Sequence, residues 1–212
     1  MIARHIRKTL LSRKKRTCTV ANMVVRYRPS LLDVVAEVLV ADPSASLAEV
    51  AEAAGIGRTT LHKQYATRDE LIRAVGFRAL DRWEQAVDGA ELAWASGHGV
   101  AEPDPHDALR ALAAAMIPIG PQLAFLWRTP SFDHDEEIKQ RFLTVETRVG
   151  ELLRRAQEHG VLATDVPDWW LLSAFHALVY VGAESVASGE LAPREAPDRV
   201  LRTFLRGIGA SS

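Results

Sequence analysis

Arg58, Thr59, Thr60, His62, Lys63 and Gln64 surround Leu61 in the stretch GIGRTTLHKQY, and none of the six is a carboxylate. Every one can hydrogen-bond, so the chemistry this segment offers is recognition of an anionic, hydrogen-bonding surface. The DNA major groove admits one helix, its flanking phosphates repel carboxylates, and Arg, Lys, Gln and Thr bond to base edges or phosphate oxygens. A merely solvated helix usually mixes both charge signs. No G-x-S-x-G, H-E-x-x-H, P-loop or clustered carboxylate set occurs, so no catalytic residue is assigned. Asp133, Asp135, Glu136 and Glu137 read instead as an acidic helix start favoured by the helix dipole. His98, His106, His134, His159 and His176 lack tight ligand spacing, so neither a metal nor another cofactor is expected.

A recognition helix needs neighbours that aim it. Ser46 and Glu49 have capping-box spacing, which starts a helix at Ser46, and Leu47, Val50, Ala51 and Ala54 then share one buried face. Gly55 stops that helix at a sharp turn where positive φ is needed, and Ile56 plugs the corner. The next helix, from about Arg58, buries Leu61 and Tyr65. Upstream, Ser30 with Asp33 predicts a first helix from Leu31 to Ala41. Downstream, Thr67 with Glu70 opens a fourth, expected to run past Trp83 to about Val87. Within it Gly76 is either a flexible point or a close helix contact, with packing the preferred reading.

Residues 30 to 80 resemble the DNA-binding domain of the TetR (tetracycline repressor) family. AEVAEAAGIGRTTLHKQYATRDELIRAV is similar to that family's helix-turn-helix and the start of its fourth helix. The resemblance implies phosphate contacts from Ser46, Thr60 and Arg68, an aromatic core role for Tyr65, and transmission of ligand state through the fourth helix. Gly57, His62 and Gln64 depart from the pattern, standing where a serine cap, a tyrosine, and a histidine or tyrosine are usual. Glycine is itself an acceptable N-cap, and a histidine can bond phosphate, more strongly when protonated.

Charge is divided along the chain. Residues 1–80 hold 14 Lys+Arg against 7 Asp+Glu, whereas residues 81–212 hold 12 against 20. Before Asp33 stand Arg4, Arg7, Lys8, Arg13, Lys14, Lys15, Arg16, Arg26 and Arg28 with no acid among them, an arm suited to phosphates. Two other readings stay open: an organelle transit peptide, or a true start at Met23. With 48% hydrophobic and 25% charged residues the composition is that of a globular protein. No unbroken apolar run reaches bilayer length, so no membrane partner is expected. Cys18 is the only cysteine, which excludes an intrachain disulfide and suits a reducing, cytoplasmic setting.

The predicted fold is all-α with about nine helices: a basic arm (1–29), a three-helix helix-turn-helix domain with the start of the linking helix (30–87), and a helical effector-binding and dimerisation domain (88–212). The segment from Asp88 to about Asp104 reads as turn-rich, and further helices are expected near 106–117, 119–128, 134–159, 167–188 and 195–208. DWWLLSAFHALVYVGAESVA is apolar nearly all round, which calls for covers on both faces and hence a partner chain. The resemblance implies the same, a homodimer sealed by the last two long helices. Candidate interface residues are Ser173, Leu178, Tyr180, Val181, Glu184, Val200, Phe204, Leu205 and Ile208. The polar stripe Ser173, His176, Tyr180 and Glu184 is read as a hydrogen-bonded dimer seam in preference to a ligand edge. Candidate pocket residues are Trp94, Met116, Phe125, Trp127, Phe132, Phe142 and Trp170, with His134, Arg141 and His176 as polar members; aromatic residues also simply fill cores.

The expected function is therefore sequence-specific, DNA-binding transcriptional regulation. A dimeric repressor would bind a palindromic operator in double-stranded DNA, in the bacterial cytoplasm at the nucleoid, and leave it when a hydrophobic small-molecule effector binds. The alternatives are an architectural DNA-binding protein without a ligand and, more distantly, a helical enzyme.

Overall fold

The computed structural model describes residues 30–95 and 104–208. Among them are nine α-helices and no strand: α1 (Leu31–Ala41), α2 (Leu47–Ala53), α3 (Arg58–Gln64), α4 (Arg68–Ala95), α5 (Pro105–Met116), α6 (Gly120–Arg128), α7 (Glu136–Glu158), α8 (Asp168–Ser188) and α9 (Ala196–Ile208). Short 3-10 turns, Ile117–Ile119 and Pro130–His134, precede α6 and α7.

The expected caps are all formed. Ser30 and Asp33, then Ser46 and Glu49, make reciprocal capping boxes. At the third, the Glu70 N–H donates to Thr67 Oγ1 at 3.1 Å and the Thr67 N–H to Glu70 Oε2 at 3.4 Å. Gly55 has φ 69°, and the Ile56 N–H donates to the Ala51 carbonyl across the corner at 3.0 Å, a Schellman ending.

The linking helix departs from expectation. It continues to Ala95 instead of ending near Val87, so the boundary placed at Asp88 falls inside α4. Gly89 there has open space around it and does not break the helix. Three arginines tie α4 to the turn and helix at α7. Arg73 meets Asp135 at 2.7 Å and Glu137 at 2.5 Å; Arg141 meets Glu84 at 2.6 Å and Asp81 at 2.9 Å; Arg148 meets Glu91 and Asp88, each at 2.6 Å. Bonds from these carboxylates hold the guanidinium pKa of Arg148 above its ordinary value. Such a ladder secures the helix that α5 covers elsewhere through Trp83, Ala86, Leu109 and Leu112, all part of one continuous apolar core.

Two stretches, Pro105–Arg128 and Asp168–Ser188, are long and apolar enough to cross a bilayer, contrary to the sequence expectation. Of the most apolar 18 residues of the first, 67% are buried within the protein; of those of the second only 33%. The α8 helix therefore leaves Trp169, Trp170 and Val181 in solvent, at 65, 52 and 56% exposure. Opposite, its inner side packs on α9, with Phe175 and Phe204 edge to face at 5.5 Å.

Candidate nucleic-acid interface and effector site

On α3, Leu61 is buried to 1% exposure, while Arg58, Thr59, Thr60, His62, Lys63 and Gln64 are all exposed. One apolar anchor thus fixes a helix whose other faces are free to meet a ligand. Gly57 caps it in extended conformation without a side-chain bond. His62 Nδ1 lies 3.5 Å from the Tyr65 carbonyl, which leaves the opposite ring edge outward.

Two expected phosphate contacts are already engaged by the protein. The Ser46 backbone N–H donates to Glu49 Oε2 at 2.7 Å, and its hydroxyl accepts from the Glu49 N–H, so only the hydroxyl proton remains to reach a phosphate. Those bonds hold the Glu49 carboxyl below its ordinary pKa, led by the backbone bond from Ser46. Arg68 donates to the Ala45 carbonyl at 2.5 Å and the Pro43 carbonyl at 2.7 Å, so it fastens the loop between α1 and α2. Arg26 and Arg28 lie outside the described residues.

Of the candidate pocket residues, Trp127, Phe132, Phe142 and His176 line cavities. One of about 180 Å³ is bounded by Leu126, Trp127, Phe132, Asp133, Ile138, Lys139 and Phe142. A second, a shallow groove open to the surface with a volume of about 270 Å³, is bounded by Trp127, Arg128, His176, Ala177 and Tyr180. Trp83, not among the candidates because it served only to mark the course of the fourth helix, packs edge-on against Phe142 at 5.2 Å and His176 at 5.5 Å. The burial of His176 depresses its pKa to about 4, so the imidazole is neutral near pH 7. Glu146, half-buried one turn past Phe142 on α7, has its carboxyl pushed up by the same loss of water.

The other six line neither cavity. Trp94 packs on His159 at 5.3 Å, eleven residues or about 16 Å along α4 from Trp83. Met116 is wholly core, and Phe125 is buried against Phe132 at 5.6 Å. His134 is exposed. Arg141 faces the acidic side of α4, and Trp170 lies on the surface beside Trp169.

The interface candidates divide similarly. Ser173, Val181 and Glu184 are exposed on α8, with Leu178 and Tyr180 half-buried. Val200 and Phe204, at 4 and 1% exposure, are packed in the chain's own core; Leu205 is half-buried. Ile208 ends α9, and its side chain lies outside the described details. Within one chain, the residues of the expected polar seam are placed as follows: the Ser173 hydroxyl donates to the Trp169 carbonyl at 2.8 Å, His176 is buried, and the Tyr180 hydroxyl accepts from Arg128 at 2.6 Å.

One buried cluster had no counterpart in the sequence reading beyond its cap. Asp33, 1% exposed on α1, lies 3.5 Å from Arg78 and 3.3 Å from Arg82 on α4, and 3.5 Å from Gln122 Nε2 on α6. One carboxylate therefore joins the reading domain, the linking helix and the helix that carries Trp127. Gly76 makes a second junction: a Cβ there would come 2.7 Å from Phe132 Cζ and 3.1 Å from Ile138 Cδ1, which accounts for glycine by close packing.

No family model matches the chain. It is 30% identical over 184 residues to the HTH-type transcriptional repressor LfrR of Mycolicibacterium smegmatis, covering 86% of this chain and 90% of LfrR. The HTH-type transcriptional regulator NfxB of Pseudomonas aeruginosa is 25% identical, with 87 and 95% covered. Among solved structures, TetR-like LfrR in complex with proflavine superposes with a TM-score of 0.66 at 28% identity, over 85% of this chain and 95% of that one. The ketosteroid regulator KstR2 of Mycobacterium tuberculosis shares the fold, with a TM-score of 0.64 at 18% identity over 91% of this chain and all of that one. The match to LfrR thus runs along most of both chains, helix-turn-helix, linking helix and helical second half included, and the chain belongs to the TetR family of DNA-binding transcriptional regulators.

Proposed function

We propose that the protein is a repressor which binds a palindromic operator as a homodimer and releases it when a planar, largely apolar molecule enters the cavities beside Trp127. The observation that carries this is the pairing of an exposed, carboxylate-free α3 with an aromatic cluster on helices packed directly against α4. The repressor LfrR, whose solved complex contains proflavine, supports both the sign of control and the flat aromatic class of effector.

Dimerisation is favoured by α8, whose exposed Trp169, Trp170, Ala177 and Val181 form an apolar surface that a second copy would cover. Twofold symmetry would set two α3 helices about 34 Å apart, one per half-site. In this division residues 30–87 read DNA, residues 88–212 bind effector and partner, and the basic arm 1–29 adds phosphate contacts. The protein would act in the cytoplasm at the nucleoid. Effector occupancy would reach α3 through α4, at Gly76 and at the Asp33 cluster, and a switch of 5- to 150-fold in DNA affinity needs only about 1 to 3 kcal/mol of coupling.

Footprinting on DNA upstream of the protein's own gene, with and without proflavine as the probe, tests the proposal. Protection of a twofold-symmetric site that proflavine abolishes is expected. Protection at random positions would favour an architectural role, and protection indifferent to every flat aromatic tried would remove the effector.

A further inference from the structure

The two cavities share one wall. The Trp127 indole bounds both, half-buried in the last turn of α6, 5.2 Å from His176 and 6.5 Å edge-on from Trp83. Neither space, at about 180 and 270 Å³, reaches the volume of ~300 Å³ at which small-molecule pockets begin.

Two residues ring-packed against Trp127 carry a buried polar atom without a hydrogen-bond partner: Trp83 Nε1 on α4, behind the lining of both cavities, and His176 Nε2 on α8, whose side chain lines the second. Buried side-chain polar atoms are nearly always paired, so two orphans from different helices inside one aromatic cluster call for a common explanation. An indole N–H only donates, and a neutral imidazole donates or accepts according to its tautomer. The missing partner must therefore carry an acceptor.

We infer that Trp127 is a movable partition of a single effector slot, and that the effector is a flat aromatic molecule bearing a hydrogen-bond acceptor on its edge. With the indole swung aside the cavities merge. The ligand packs against Phe142 and the neutral His176 ring, and its edge acceptor takes the Trp83 N–H. A ring nitrogen or an aryl carbonyl meets this requirement; a plain hydrocarbon does not. Because Trp83 belongs to α4, the ligand bonds directly to the helix that leads to the reading domain. This deepens the effector reading above and rests on it.

The test uses acridine at pH 8, where its ring nitrogen is an unprotonated acceptor, with the full-length protein and the ligand's own fluorescence anisotropy. Wild-type protein is expected to bind it and to release operator DNA. Trp83→Phe keeps a buried aromatic ring and removes the donor, so it should weaken acridine binding by about tenfold in a protein that still unfolds in one cooperative melt. Trp127→Ala removes the partition and should speed association by about tenfold or more in stopped flow. If acridine binds and releases DNA but Trp83→Phe leaves affinity unchanged, or Trp127→Ala leaves the association rate unchanged, the slot is overturned and the wider effector reading stands. If wild-type protein binds neither acridine nor proflavine, both fall together. His176→Phe gives an independent check, since an unchanged acridine affinity there removes the imidazole from the site.

Discussion

The Asp33 carboxylate accepts a hydrogen bond from Gln122 Nε2 at 3.5 Å across 89 residues of sequence, and both side chains are buried. Arg78 and Arg82 of α4 close on the same carboxylate, so the reading domain meets its regulatory domain through an ionic knot in an otherwise apolar joint. Removing the carboxylate takes a buried charge and acceptor from three side chains at once, which costs more than the cluster contributes. Asp33→Ala is expected to lower stability by about 3 kcal/mol, measured by denaturant unfolding at low salt. Gln122→Leu removes only the long bond from the uncharged amide to that carboxylate, at about 1 kcal/mol, and should reduce the difference in operator affinity with and without proflavine. A wild-type response in that variant would take Gln122 out of the coupling route.

Gly76 makes the second joint. Gly76→Ala drives a methyl group against the Phe132 ring, and overpacking of this kind costs about 1 to 3 kcal/mol. Because Phe132 also lines a cavity, effector affinity should change together with melting temperature. Gly89→Ala, on the same helix in open space, is the control and should stabilise or leave the melt unchanged.

The neutral His176 imposes a pH dependence. Its folded pKa of about 4 lies below the ordinary 6.5, so the unfolded chain takes up the proton first as acid is added. Stability should fall as pH drops from 6.5 towards 4, by roughly 3 kcal/mol from this group across the window. Thermal melts of wild type and His176→Phe over that range check it; equal slopes would contradict the assignment.

How far the sequence carried these conclusions depended on distance along the chain. The capping residues Ser30, Ser46 and Thr67, and the turn at Gly55, were legible because each acts on atoms a few residues away. The segment from Asp88 misled because it reads as turn-rich; in the structure Arg148, nearly sixty residues later, grips Asp88 and Glu91 on either side of Gly89. A seven-residue repeat held a clue, since Arg141 and Arg148 are spaced like Glu84 and Glu91. Asp33 read as a cap, which it is, but its burial and long-range partners come only from three helices meeting. Aromatic residues fared worst for a similar reason: helical spacing marks them as inward-facing, yet only packing separates Trp127 at a cavity wall from Trp94 in solid core.

On the reading helix, Lys63→Ala should weaken all DNA about equally and flatten the dependence of log affinity on log salt by about one unit, the mark of one lost phosphate contact. His62→Ala should weaken operator binding at physiological salt, and Gln64→Ala should relax preference at one base pair by about 1 to 3 kcal/mol. Gel-shift titrations on operator and scrambled duplexes separate the two behaviours. Unchanged operator affinity in His62→Ala would remove that residue from the interface.

Selection of bound sites from a random DNA pool by the purified full-length protein tests the central claim most directly. The account predicts an enriched palindrome whose half-sites lie about one helical turn, or a multiple of it, apart, recovered again beside the protein's own gene. A pool that stays random after repeated rounds, while the protein still binds DNA in low salt, would contradict sequence-specific regulation.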